Sequence, residues 1–272
     1  MTRRTLAVLS LAVLLSLAGC SGVLGPASTP TTTSDGTPDA GATTTTDDGS
    51  GGPIYQPPLS ASTVLDGHAT ALEDGSTFRY VQRSRFRGVN GSGFLQETEL
   101  TADVDLAADE TAVSQNVTLQ GESAAYGNAT VGYIRIPTDD GPRYRRAPGN
   151  LTTPGFYQQP PIGRYVRGLN WTYRGATDRN GSTVYTYVVG DVDQLSPSAH
   201  GLDIVDPENV TSIDTRLSVR EDGSIDSFEY RVRGVVDGVL VEYSLSVDWR
   251  QVGSTSVDRP AWVDDARNAT GR

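Results

Sequence analysis

The chain has 272 residues, of which 33 are acidic and 22 basic, so its formal net charge is −11. An acidic surplus of this size argues against a nucleic-acid partner, because binding to phosphate backbones depends on basic residues. A single cysteine excludes an internal disulfide framework.

The N-terminus has the features of an export signal. Arg3 and Arg4 precede an apolar run from Leu6 to Ala18, which is shorter than the roughly 20 residues that span a bilayer and typical of a signal peptide. The run ends in Leu-Ala-Gly-Cys20, which resembles the lipobox of prokaryotic lipoproteins, where the cysteine carries the lipid. The alternative is an ordinary signal peptide followed by a chance cysteine. We interpret residues 1–19 as a signal peptide and Cys20 as a lipid anchor at the extracellular face of the cell membrane.

A segment of biased composition follows the anchor. Residues 20–58 consist mainly of Thr, Ser, Gly, Pro and Asp, so they contain too few apolar residues to order themselves and are predicted to form a disordered stalk.

All 22 basic residues of the chain are arginine. Together with the acidic surplus, this resembles the proteins of extremely halophilic archaea, since a GC-rich bacterial genome would explain the arginine but not the acid.

Residues 59–266 have the size of one domain, with 267–272 as a tail. A helix is predicted at its start, because Leu65, His68, Ala69 and Leu72 share one helical face. Ser60 or Ser62 would cap its N-terminus, and Gly75 would end it.

The remainder of the domain is dominated by period-two alternation, which predicts antiparallel strands with one buried face. The clearest strands are 100–106, 213–219, 228–232 and 239–249. Asn90-Gly91, Asn180-Gly181, Asp222-Gly223 and Asp237-Gly238 are typical tight turns between them. Eight to ten such strands predict an α+β fold that is mostly antiparallel β: one large curled sheet, an unclosed half-barrel, with one or two helices on its concave face. The second helix is expected near Ile162–Leu169.

One segment departs from the acidic composition. Residues 141–177 contain no acid but six arginines and six aromatic residues, and their five prolines favour a long ordered loop. Arginine and aromatic side chains together suit contact with anionic amphiphiles. We therefore expect this segment to be a lid at the mouth of the half-barrel; the alternative is that its arginines pair with neighbouring carboxylates. The candidate ligand-binding residues are Arg143, Arg145, Arg146, Tyr165, Arg167 and Trp171.

Every asparagine of the chain lies in an Asn-x-Ser/Thr sequon, which predicts exposed, glycosylated side chains in an exported protein. These are Asn90, Asn116, Asn128, Asn150, Asn170, Asn180, Asn209 and Asn268.

No catalytic motif accompanies these features. The two histidines, His68 and His200, cannot form a three-ligand zinc site by themselves, and we expect His68 to be a packed residue of the core or its rim. Paired aspartates such as Asp139-Asp140 are typical of a solvated acidic surface. We therefore predict no enzyme activity, no metal and no cofactor.

The lipobox, the Thr-rich stalk, the His68-to-Leu72 helix and the closing Val257–Trp262 segment resemble haloarchaeal lipoproteins of unknown function. Their presumed architecture is similar to the LolA, LppX and RseB half-barrels. The resemblance implies a hollow that holds lipid or the acyl chains of a lipoprotein. The alternative is an interaction protein, either a regulatory sensor or a structural component of the cell surface, with no small ligand.

The lipid anchor is directly testable. We expect Cys20→Ser to leave the protein unprocessed or released into the medium, because a signal h-region alone is not a stable anchor. Detergent-phase partitioning of the variant and the wild type measures this. Equal partitioning would show that Cys20 carries no anchor.

Overall fold

The structure is a computed structural model that describes residues 52–89, 94–147, 154–158, 160–179, 181–195 and 205–271. Its main compact unit is Pro53–Arg272. The signal peptide, Cys20, most of the stalk, Asn90, Asn150, Asn180 and His200 lie outside the described residues.

Eleven strands form one antiparallel sheet with the order β6-β5-β4-β3-β2-β1-β11-β10-β9-β8-β7. The strands are β1 Thr77–Gly88, β2 Leu95–Asp105, β3 Glu110–Val117, β4 Gly121–Gly127, β5 Gly132–Ile136, β6 Arg143–Ala147, β7 Thr172–Arg179, β8 Ser182–Val189, β9 Val210–Arg220, β10 Ile225–Val236 and β11 Val239–Arg250. The sheet does not close, since β6 and β7 are its two edges. The predicted half-barrel is confirmed, with short strands that the alternation pattern did not resolve raising the number to eleven.

The predicted turns have the backbone that their residues favour. Asp237 and Gly238, between β10 and β11, have φ values of 50° and 79°, as a two-residue hairpin with both central residues at positive φ requires. Gly223 has a φ of 88° between β9 and β10.

The first helix, α1 (Ala61–Gly75), begins as predicted, because the Ser60 side chain accepts a hydrogen bond from the Thr63 N–H. Its buried face is shifted by one residue from the prediction: Val64 and Leu72 are fully buried, whereas Leu65 is only half-buried. A second helix, α2 (Gly163–Gly168), covers part of Leu65. Leu65 lies against Gly163, where an added Cβ would be 3.0 Å from the Leu65 Cδ1.

Strand register defines the two faces of the sheet, because cross-strand partners point to the same side. Tyr80 pairs with Trp249 on β11 and with Ala102 on β2. This inner face carries both predicted helices: His68 of α1 lies 4.4 Å from Trp249 and Tyr165 of α2 lies 5.2 Å from Phe228, between ring centroids.

A third helix, α3 (Trp262–Thr270), lies on the opposite, outer face. Its Val263 and Ala266 pack against Tyr126 and Tyr133 of β4 and β5. Their register partners confirm the face, since Ala112 and Tyr126 share a row with the outward-facing Asp103. Residues 267–270, assigned above to a tail, are therefore helical.

Gly234 on β10 provides a test of how closely the segment before β9 packs against the sheet. An added Cβ would overlap the Val205 side chain and lie 2.5 Å from the Asn209 carbonyl oxygen. We expect Gly234→Ala to lower the free energy of unfolding by about 1–3 kcal/mol, measured by thermal denaturation. The control is Gly190→Ala, where no atom lies within 4 Å; equal effects would show that Gly234 is not tightly packed.

Candidate functional site

The two edges of the sheet are connected by a strap, defined as residues 154–158 and 160–171, which crosses the inner face. The Trp249 indole N–H donates to the Phe156 carbonyl oxygen at 2.9 Å, and the Phe156 ring lies 5.3 Å from Tyr80. Further along, Tyr165 lies 4.5 Å from Tyr230. The strap therefore covers the central strands of the sheet.

The prediction of one long loop over 141–177 was wrong at both ends. The segment opens with edge strand β6 and closes with the first residues of β7, the other edge. Edge strands pair on one side only, so they tolerate exposed arginines that would be costly in a central strand. This explains why an arginine-rich sequence without clear alternation still forms β6.

Within the strap, two candidate ligand-binding residues are packed. Tyr165 is fully buried and Trp171 is 4% exposed, and the Trp171 indole N–H donates to the Val166 carbonyl oxygen at 3.3 Å. Arg167, by contrast, is exposed at the end of α2. Tyr165 and Trp171 therefore hold the strap in place, and ligand contact through these three residues stays a prediction.

The three arginines of β6 divide between the two faces. Arg145 pairs with Ile134, which continues the inner-face row of Ala102, Val113 and Ala125. Arg143 lies two residues before Arg145, so it also faces inward, whereas Arg146 faces outward.

All three β6 side chains are exposed, and none forms an ion pair with a described residue. The arginines of β1 contrast with them, because Arg79 binds Asp103 and Arg83 binds Glu99. The described residues therefore do not show the alternative, in which the β6 arginines pair with neighbouring carboxylates. Arg143 and Arg145 therefore form a cationic border on the inner face, with no carboxylate partner in the part of the chain that the structure describes.

His68 is a packed core residue, as expected. The Ile225 backbone N–H donates to its Nδ1 at 3.1 Å, and its Nε2 has no partner among the described residues. Burial lowers the pKa of the imidazole to about 3, with Asp222 opposing and Arg220 adding to the shift. His68 is therefore neutral at ordinary pH. Across the described residues, no group of three or more His, Cys, Asp or Glu could hold a metal ion.

Four of the five sequon asparagines among the described residues have the exposure that glycosylation requires. Asn116, Asn170, Asn209 and Asn268 are exposed, and Asn128 is half-buried. The Asn128 Oδ1 already accepts from the Thr130 and Val131 N–H groups. Glycosylation itself stays a prediction.

Sequence reasoning missed a polar groove of about 650 Å³ on the outer face, across β2, β1, β11, β10 and β9. Beside it, Arg87 and Arg233 both bind the buried carboxylate of Glu242, at 2.6 and 2.7 Å. Burial raises the pKa of that carboxyl, but the two arginines outweigh it and leave the pKa below its usual value. The alternating arginines of β1 and β10 were the available signal, but their convergence depends on a pairing of distant strands.

The fold defines a class: an unclosed antiparallel half-barrel whose inner face is crossed by a strap from edge to edge. The chain belongs to a family of unknown function (DUF7537), whose model matches residues 5–266. No curated protein matches the chain.

Several solved structures are similar at low identity. Lipoprotein LppX of Mycobacterium tuberculosis is 10% identical with a TM-score of 0.39, covering 73% of this chain and 98% of that one. LprF of Mycobacterium bovis is 14% identical with a TM-score of 0.34, covering 78% and 100%. A LolA superfamily protein of Nitrosomonas europaea is 8% identical with a TM-score of 0.25, covering 75% and 97%. Likenesses this distant carry no functional argument.

No helix among the described residues is long and apolar enough to cross a membrane.

The pKa of His68 predicts a pH dependence of stability. Between about pH 3 and the unfolded-state pKa of about 6.5, His68 binds a proton in the unfolded chain but not in the folded one. The contribution of the neutral, buried His68 to stability is therefore complete above pH 6.5 and falls as the pH falls. We expect the free energy of unfolding to drop by about 2 kcal/mol between pH 7.5 and 5, measured by denaturant titration at fixed salt. His68→Gln should lack this drop over the same interval; an equal slope in both proteins would contradict the assignment.

Proposed function

We propose that this chain is a lipid-anchored protein of the extracellular membrane face that binds an amphiphile, such as a lipid or the acyl chains of a lipoprotein, on its inner face beside β6. The observation that carries the proposal is the border formed by Arg143 and Arg145. These cations, which pair with no described carboxylate, adjoin an apolar wall at a sheet edge in a strongly acidic protein.

The arrangement suits an amphiphile in its chemistry. Ile134 and Ile136, the register partners of Arg145 and Arg143, are half-buried and would contact the apolar chains. A guanidinium can bind a phosphate or carboxylate through two parallel hydrogen bonds. Binding sites for such ligands combine apolar walls with a few placed polar groups. Where salt is molar, the screening length falls to about 3 Å, so only direct contacts between arginine and the head group would contribute.

The position of the strap limits where the apolar part of the ligand can lie. Phe156 and Tyr165 fill the inner face over the central strands, where Trp249 and Tyr80 are also buried. The ligand would therefore lie beside the strap, against β5 and β6. If the strap acts as a lid, its opening must separate these aromatic contacts.

The same filled centre favours a second candidate function, an interaction protein without a small ligand. A regulatory or structural component needs no hollow, and the inner-face arginines would then contact an acidic partner. Lipid recovery distinguishes the two functions, because only the first requires a co-purifying lipid.

The matched variants are Arg143→Gln/Arg145→Gln and, as control, Arg146→Gln on the outer face of the same strand. We expect the double variant to bind lipid about tenfold or more weakly, since each lost hydrogen bond to a charged group weakens binding substantially. It should therefore carry less lipid after purification than the wild type. Native mass spectrometry of protein purified from its own host measures the bound lipid. Both variants should keep the wild-type Tm within about 2 °C, because exposed residues without partners contribute little stability.

Three outcomes would contradict the proposal. Equal lipid recovery by the double variant and the control would show that the inner-face arginines bind no head group. Absence of lipid from the wild-type protein would favour the interaction protein. A loss of stability with lipid retained would show that Arg143 and Arg145 are structural.

A further inference from the structure

The outer face contains an internal example of how this sheet holds an anion. Arg87 on β1 and Arg233 on β10 are register partners of Glu242 on β11, from opposite sides. Strands two positions apart lie about 10 Å from each other, and both guanidinium groups converge over β11 on the same carboxylate, at 2.6 and 2.7 Å. An anion above the middle strand is thus within reach of arginines on both neighbours.

The same arrangement recurs one row away without the anion-bearing side chain. Arg85 on β1 and Arg231 on β10 are the register partners of Ser244, again from opposite sides. Ser244 lies two residues from Glu242 and therefore faces the same way. Its hydroxyl forms no hydrogen bond with any described residue, and all three residues line the groove of about 650 Å³. We propose that this groove binds an anionic group, a phosphate, sulfate or carboxylate, between Arg85 and Arg231 above Ser244.

Both arginines have donors to offer. Arg85 binds Glu97 through its Nε and Nη2 groups, which leaves further N–H groups of its guanidinium free. Arg231 forms no ion pair with a described residue, although Asp214 is its register partner on β9. The Ser244 hydroxyl adds a third donor from the floor of the groove.

The neighbouring row shows that the arrangement is specific to Ser244. Ser246 also lines the groove, but its register partners are Arg83 and Glu229. A carboxylate directly beside the serine would repel an anion there, whereas in the Ser244 row the carboxylates of Glu97 and Asp214 lie one strand further out, beyond the arginines. Among the described residues of β11 that line the groove, Ser244 alone has an arginine as register partner on each side, so the site is defined by one row of the sheet.

This site is separate from the proposed amphiphile site, since it lies on the opposite face. The test is calorimetric titration of the purified protein in 1 M KCl with inorganic phosphate, and separately with sulfate and acetate. We expect saturable binding by the wild type, at least about tenfold weaker binding by Arg231→Gln, and nearly unchanged binding by Arg216→Gln. Arg216 is a suitable control because it borders the groove without an ion pair to a described residue.

A second variant places the carboxylate within the chain. Ser244→Glu should reproduce the arrangement around Glu242, abolish binding of the added anions and preserve the Tm. The proposal is overturned if the wild type binds none of the three anions, if Arg216→Gln weakens binding as much as Arg231→Gln, or if Ser244→Glu still binds. Lipid recovery by Arg231→Gln should equal that of the wild type, so failure here is distinguishable from failure of the proposed function.

Discussion

The hydrogen bond from the Trp249 indole to the Phe156 carbonyl oxygen ties the strap to the middle of the sheet. An unclosed sheet has no opposite strands to bury its apolar inner face, and here the strap covers that face. Trp249 also contacts His68 and Tyr80 through its ring. Helix α1, the central strands and the strap thus share contacts with one aromatic side chain.

The charges of the outer face follow a different principle. Arg79, Arg83 and Arg85 each lie beside a carboxylate on the neighbouring strand. The charges of these β1 arginines are thus neutralised by direct contact. Contact pairs persist where salt screens longer-range attraction. The arginines without such partners therefore stand out chemically. Arg143 and Arg145 define the first proposed site, and Arg231 joins the paired Arg85 in the second. Exposed pairs contribute little stability individually, so this pattern matters more for recognition than for folding energy.

Local signals in the sequence predicted much of the fold. Period-two alternation located β9, β10 and β11, the Asp-Gly pairs located their turns, and Ser60 located the start of α1. Three features depend on distant contacts and could not be predicted in the same way. The face of each β6 arginine follows from register with β5, α3 is too short for a clear periodic signal, and the groove requires β1 to pair with β11. In the segment 141–177, Tyr165 and Trp171 are buried, and the part that this segment plays in ligand binding stays a prediction.

The strand order has a consequence for how the chain acquires its structure. The sheet consists of two meanders, β1–β6 and β7–β11, in which each strand pairs with its neighbour in sequence. The centre joins the first strand to the last, so the seam between the meanders cannot form until nearly the whole domain is present. Contacts between segments so far apart in sequence slow folding, because a large loop must close first. A chain with this topology therefore stays incomplete until β11 is available to pair with β1.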